Sequence, residues 1–162
     1  MSPTLDYAVP VGPHQGGQSI VEFAFTIGAF LLVLFGALST ALYAVQRSAA
    51  VTAAAAGVRA AASAQSDSAS DVDLAAAGPL VSSRLEPVLF GSTLERKPAG
   101  TPCDPLDSIP TGHLEVCATL DPADASMVLV VVRGRPFNLL PLVPLPWTID
   151  APAEFHKVTF QR

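Results

Sequence analysis

Ile20–Val45 reads IVEFAFTIGAFLLVLFGALSTALYAV, and the reading of this stretch decides the fold. Leu, Phe, Val and Ala dominate it, and Glu22 is its one charge. As a helix rising 1.5 Å per residue it runs about 39 Å, enough to cross a ~30 Å hydrocarbon core with tilt or overhang. The stretch is therefore read as a transmembrane helix. The rival reading is a cleaved secretory signal, whose apolar core spans about 7–15 residues behind a basic flank. Here the apolar run is longer, and no Lys or Arg precedes Arg47. The small residues of ALYA, Ala41–Ala44, are what that rival has in its favour.

Downstream, the run becomes Ala-rich without a breaker, QRSAAVTAAAAGVRAAASAQ over Gln46–Gln65. Alanine is the best helix former, and Gly57 is the weak point. One helix is expected from about Ser19 to about Ala64, leaving the membrane near Arg47, with small residues on its outer half that allow close approach of other elements. Ser66–Asp71, SDSASD, is a polar joint that offers helix caps. The spacing of Val72, Leu74, Leu80, Val81, Leu85 and Val88 predicts a helix in two pieces, broken at Gly78-Pro79. Gly91–Gly112 is rich in Pro, Gly, Ser and Thr and reads as a loop.

Strand patterns follow. In HLEVCATL, Leu114, Val116, Ala118 and Leu120 alternate with His113, Glu115, Cys117 and Thr119, the pattern of a half-buried strand. MVLVVVR, Met127–Arg133, is a β-branched run suited to a central strand. Four prolines between Pro136 and Trp147 rule out an interior strand there. A last strand pair is expected around Thr148–Asp150 and Phe155–Phe160. The fold class is thus α+β: a long N-terminal transmembrane helix continuing into an Ala-rich helix, then a small domain with an antiparallel sheet of three or four strands. The expected organisation is a leader over 1–17, a helical segment over 18–65 and an extracytoplasmic domain over 66–162.

Upstream of the span, MSPTLDYAVPVGPHQGG has three Pro and three Gly and no periodicity, as in a disordered leader. Glu22 then poses a question, because an acidic side chain at mid-bilayer costs roughly 2.5–3.5 kcal/mol on insertion scales. If the chain is cut after Gly17, Gln18 becomes the first residue and its α-amine lies one helical turn before Glu22. Residues i and i+4 share a helix face, and the first turn favours negative charge. In an assembly of such helices the carboxylate meets a neighbour's terminal amine instead, which also sets axial register. The plainer alternative is a boundary residue snorkelling to the headgroups.

Gly17 followed by Glu22 at the head of an apolar helix resembles the processing site of type IV prepilins and pseudopilins. GQSIVEFAF followed by LLVLFG is similar to the TadE-like family of the tight-adherence (Flp) pilus systems. The C-terminal VLVVVRGRPFNLLPLVPLPWTIDAPAEFHK is loosely similar to that family's tail. The resemblance implies a minor pseudopilin or assembly factor, processed after Gly17 by a membrane prepilin peptidase. Its partners would be other pilins or pseudopilins and the pilus assembly platform. It also implies a single-pass cell membrane protein with a cytoplasmic N-terminus and an extracytoplasmic C-terminal domain. Prepilin leaders usually carry Lys or Arg, and residues 1–17 carry none. An uncleaved, membrane-anchored extracytoplasmic binding protein is the alternative function.

Orientation draws on two signals. Arg47 and Arg59 follow the span and by themselves favour a cytoplasmic C-terminal side. Cys103 and Cys117, the only two cysteines, favour an oxidising compartment, where they would form a disulfide worth roughly 3 kcal/mol in the chain-entropy view. The cysteine argument is given more weight. The chain is 50% hydrophobic and only 14% charged, with a net charge of −5 and no basic stripe, which argues against nucleic-acid binding. His14, His113 and His156 lack metal-site spacing, and no nucleophile elbow, phosphate loop or zinc-helix motif occurs. No catalytic activity, cofactor or metal is expected.

Overall fold

A computed structural model of the chain describes residues 16–63, 73–124, 126–138 and 146–156, with side chains from Ile20 onward in the first segment. Most of the leader with His14, the joint at Ser66–Asp71, residues 139–145 within the Pro-rich segment, and Lys157–Phe160 lie outside the described residues.

Helix α1, Gly16–Ser63, is continuous over 48 residues. It has two environments. From Ile20 to Leu38 every large apolar side chain is exposed. Beyond that, burial begins at Ser39 and continues through Gln46, Ala50, Ala53, Ala54, Val58, Ala61 and Ala62. Those positions recur at three- and four-residue spacing, so they form one stripe. The stripe packs on the sheet and on helix α2, Ala77–Leu85. The exposed portion is about 19 residues, roughly 28 Å at 1.5 Å per residue, which matches the ~30 Å hydrocarbon thickness. The sequence reading put the membrane exit near Arg47. The folded domain covers one face of α1 from Ser39 on, while Val45 and Val51 stay about half exposed.

Strands β1 (Thr93–Arg96), β2 (His113–Leu120), β3 (Met127–Arg135) and β4 (Ile149–His156) form one sheet in that order. The β2–β3 and β3–β4 pairs are antiparallel, with Val116 opposite Val132 and Val132 opposite Ala151. The β1–β2 pair is parallel, Thr93 opposite His113. Leu114, Val116, Val128, Val130, Val132 and Ile149 point at α1 and α2 and form the core. Each such side chain stabilises the fold by about 1.5–3 kcal/mol when fully buried.

Three sequence expectations change. The sheet is mixed, not purely antiparallel, since β1 lies inside the segment read as a loop; four residues, one of them apolar, leave no alternation to detect. Gly78-Pro79 does not break the second helix. A 3-10 turn at Leu74–Ala76 leads directly into α2, and Pro79 falls in the first turn, where an amide donor has no helical partner anyway. A further 3-10 turn, Glu86–Val88, closes α2. The expected last strand pair is a single strand, β4, which keeps Pro152 because it lies at the sheet edge.

The face of the sheet away from α1 is also covered. The β1–β2 connection carries Ile109, 2% exposed, and Cys103, which is bonded to Cys117 with Cα atoms 5.4 Å apart. Beside the disulfide, the Lys97 ammonium reaches Glu95 at 3.0 Å, Asp104 at 3.0 Å and the buried Glu115 at 3.3 Å. Glu115 also accepts the Asp104 amide at 3.0 Å. Every residue of β2 from Leu114 to Ala118 is therefore buried, although its pattern reads as half-buried.

Candidate functional site

The sequence directs attention to the start of α1. Gly17 and Gln18 lie in its first turn, with helical backbone continuing from Gly16. Glu22 is exposed, and among the described residues no cation pairs with it. The nearest described cation along the helix is Arg47, 25 residues on. The helix surface from Ile20 to Leu38 is suited to hydrocarbon in a second respect. Its one hydroxyl is satisfied internally: Thr26 donates to the Glu22 carbonyl at 2.8 Å. A polar group bonded within its own segment removes most of the cost of leaving water. Glu22 is thus the one group in this stretch without an internal solution.

Where α1 meets the domain, polar side chains replace apolar ones. Tyr43 stacks on Trp147, ring centroids 5.1 Å apart, and its hydroxyl donates to the Thr148 carbonyl at 2.9 Å. Gln46, 3% exposed, donates from Nε2 to the Leu89 carbonyl at 2.6 Å. These two contacts fix the domain on the helix in angle and in axial position. Sequence reading assigned neither residue a role. Their signal was a pair of polar positions three residues apart closing an apolar run.

Farther along, Gly57 lets the helix approach the domain closely. A β-carbon there would lie 2.5 Å from Val81 Cγ2 and 3.5 Å from Val130 Cγ1. The glycine read as a weak point in the helix is a close-packing position.

The second group singled out from sequence lies on the far face of the sheet. Cys103, Cys117 and Glu115 converge there, within 4.8 Å of one another by their ligand atoms. Both sulfurs are spent in the disulfide, so the cluster offers no thiolate, and Glu115 is engaged by Lys97. It is a covalent and ionic staple for the β1–β2 connection. Lys97 is held protonated well above the ordinary lysine range, first by its bonds to Asp104 and Glu95. Asp104 is correspondingly lowered from 3.8 by Lys97. His113 bonds through Nδ1 to Thr93 Oγ1 at 2.8 Å, a contact between neighbouring strands.

Comparison with known proteins bears on the first of these sites. Residues 17–59 match the sequence model of the TadE-like protein family. The resemblance seen in the opening motif is therefore shown, over the stretch from Gly17 through the span and onto the part of α1 that packs under the sheet. The match to TadE-like proteins ends before α2 and does not take in the C-terminal segment whose likeness to the family tail was noted above. The TadE-like family is associated with tight-adherence pili and is not an enzyme family. No curated protein and no solved structure matches the chain.

Proposed function

We propose that this protein is a pseudopilin-type assembly component of a tight-adherence pilus or a related secretion system, acting by helix association rather than catalysis. The observation that carries the reading is the TadE-like match over 17–59, which begins at Gly17 and contains Glu22. Hydrolysis of the Gly17–Gln18 bond by a prepilin peptidase leaves a carboxylate on the leader and a new α-amine on Gln18. That amine, on this helix or on a neighbouring one, is the counter-charge that Glu22 lacks among the described residues. The leader then faces the cytoplasm and the sheet domain lies outside it, in the oxidising compartment the disulfide needs.

A second reading, an uncleaved single-pass anchor for an extracytoplasmic binding domain, draws on the helical backbone that runs unbroken through Gly16–Ser19. Glu22→Gln separates the two. The first reading predicts normal membrane insertion with loss of pilus assembly. Wild-type assembly by the Glu22→Gln protein removes the role given to the carboxylate.

A further inference from the structure

The end of the domain nearest the span carries more apolar surface than its fold requires. Three observations locate it. Thr148, whose carbonyl bonds Tyr43, immediately precedes β4, and Ile149 of β4 pairs with Gly134 at the end of β3. The Arg135 end of β3 and the start of β4 therefore face the span, and the Met127–His156 end faces away. Phe137 lies two residues beyond β3 on the span side, and its amide bonds Ser92 Oγ at 2.9 Å. Phe90 follows Leu89, the residue whose carbonyl takes the Gln46 amide.

Phe90 and Phe137 are 46% and 47% exposed. Phe90 has φ 46°, a left-handed conformation that a bulky residue rarely adopts, followed by Gly91 at φ 93°. The fold thus holds an aromatic ring outward in a strained turn. The exposed apolar run of α1 ends between Leu38 and Val45, so Tyr43 lies at most roughly 8 Å and Gln46 at most roughly 12 Å beyond the hydrocarbon edge. The headgroup zone extends about 5–8 Å beyond the hydrocarbon on each side. The half-buried Tyr43–Trp147 stack falls at that depth, where such amphipathic rings concentrate. Arg47, exposed one turn beyond Tyr43, is placed to meet lipid phosphate.

We propose that Phe90, Phe137 and the Tyr43–Trp147 pair form a second membrane contact, seating the domain in the headgroup layer of the leaflet its own helix leaves. The occupant is lipid, since a surface tethered within about 12 Å of a span meets that bilayer before any other partner. The domain is then restrained in tilt as well as anchored, with one fixed face toward the membrane. This rests on α1 being a membrane span, so the test reads the span separately.

Four single-cysteine variants of the full chain, Phe30→Cys, Phe90→Cys, Phe137→Cys and Ala123→Cys, are spin-labelled, the native pair remaining bonded. They are reconstituted in phosphatidylcholine–phosphatidylglycerol vesicles, and collision of each label with oxygen and with a water-soluble nickel chelate is measured. Label 30 reports the span. Label 123 sits at the opposite end of the sheet, near the partly exposed Leu120, so it controls for mere apolar surroundings. The proposal predicts oxygen-to-nickel ratios at 90 and 137 several-fold above that at 123 and below that at 30. A deep label at 30 with labels 90 and 137 as nickel-accessible as 123 overturns the membrane contact while leaving the span intact. Labels 90 and 137 shielded from both reagents also overturn it, since protein and not lipid then covers the surface. A nickel-accessible label at 30 removes the span reading and this proposal with it.

Discussion

Gly57→Ala sets two opposed effects against each other at one position. In an isolated helix the substitution is favourable by about 0.8–1.0 kcal/mol. In this fold the added methyl lies 2.5 Å from Val81 Cγ2, about 1 Å inside ordinary contact. Val81 is fully buried and β-branched, so it has little freedom to turn away. Forcing a methyl into a filled core costs about 1–3 kcal/mol. The expected net is a loss of about 1 kcal/mol, or roughly 4 °C in melting temperature for a folded unit of this size. Gly36→Ala is the matched control, because nothing lies within 4 Å of a β-carbon there. The assay is thermal unfolding of the detergent-solubilised chain followed by fluorescence of Trp147, the single tryptophan, which reports the domain and not the span. The account predicts a lower transition for Gly57→Ala than for wild type and no loss for Gly36→Ala. If Gly57→Ala melts at or above wild type, α1 does not pack on α2 and the sheet as described.

Gln46→Leu removes the buried donor to the Leu89 carbonyl, and a loss of about 1–3 kcal/mol is expected in the same melt; an unchanged transition would mean the contact is not made. Reducing the Cys103–Cys117 bond frees the β1–β2 connection and should cost about 3 kcal/mol, read as a downward shift in the same transition with dithiothreitol. The Lys97–Asp104 contact has a defined pH signature. Because the folded-state value of Asp104 lies below the ordinary 3.8, its contribution is fully present above that pH and is lost as pH falls below it. Lys97, raised above 10.5, gives the mirror image: its contribution is complete below that pH and is lost as pH rises past it. Asp104→Asn should flatten the acid limb of the melting-temperature profile; an unchanged acid limb would show that Asp104 does not carry it.

Much of this arrangement is written in the chain. The span, the Ala-rich extension and the two longest strands each carry a period or a composition that survives without tertiary context. Leu114, Val116 and Ala118 alternate because one face of β2 meets the helices, and Val128, Val130 and Val132 repeat the pattern in β3. What escaped the sequence depends on contacts between distant residues. β1 is too short to show a period and is a strand only because β2 lies beside it. Pro152 looks like a strand breaker until β4 is placed at the sheet edge. At the candidate site, the spacing of Gly17, Gln18 and Glu22 is what suggests a processing site, and the fold places all three on α1. Tyr43 and Gln46 were passed over because their partners, Thr148 and Leu89, are 105 and 43 residues away.

The central claim is that Glu22 is retained in an apolar helix to meet a positive terminus made by proteolysis. The intact mass of the protein extracted from membranes of cells with a working tight-adherence pilus apparatus tests it most directly. The account predicts a mature chain beginning at Gln18, with the 1–17 leader absent. A mass that still includes Met1–Gly17 in those cells would contradict it, leaving a tethered domain whose carboxylate has no such partner.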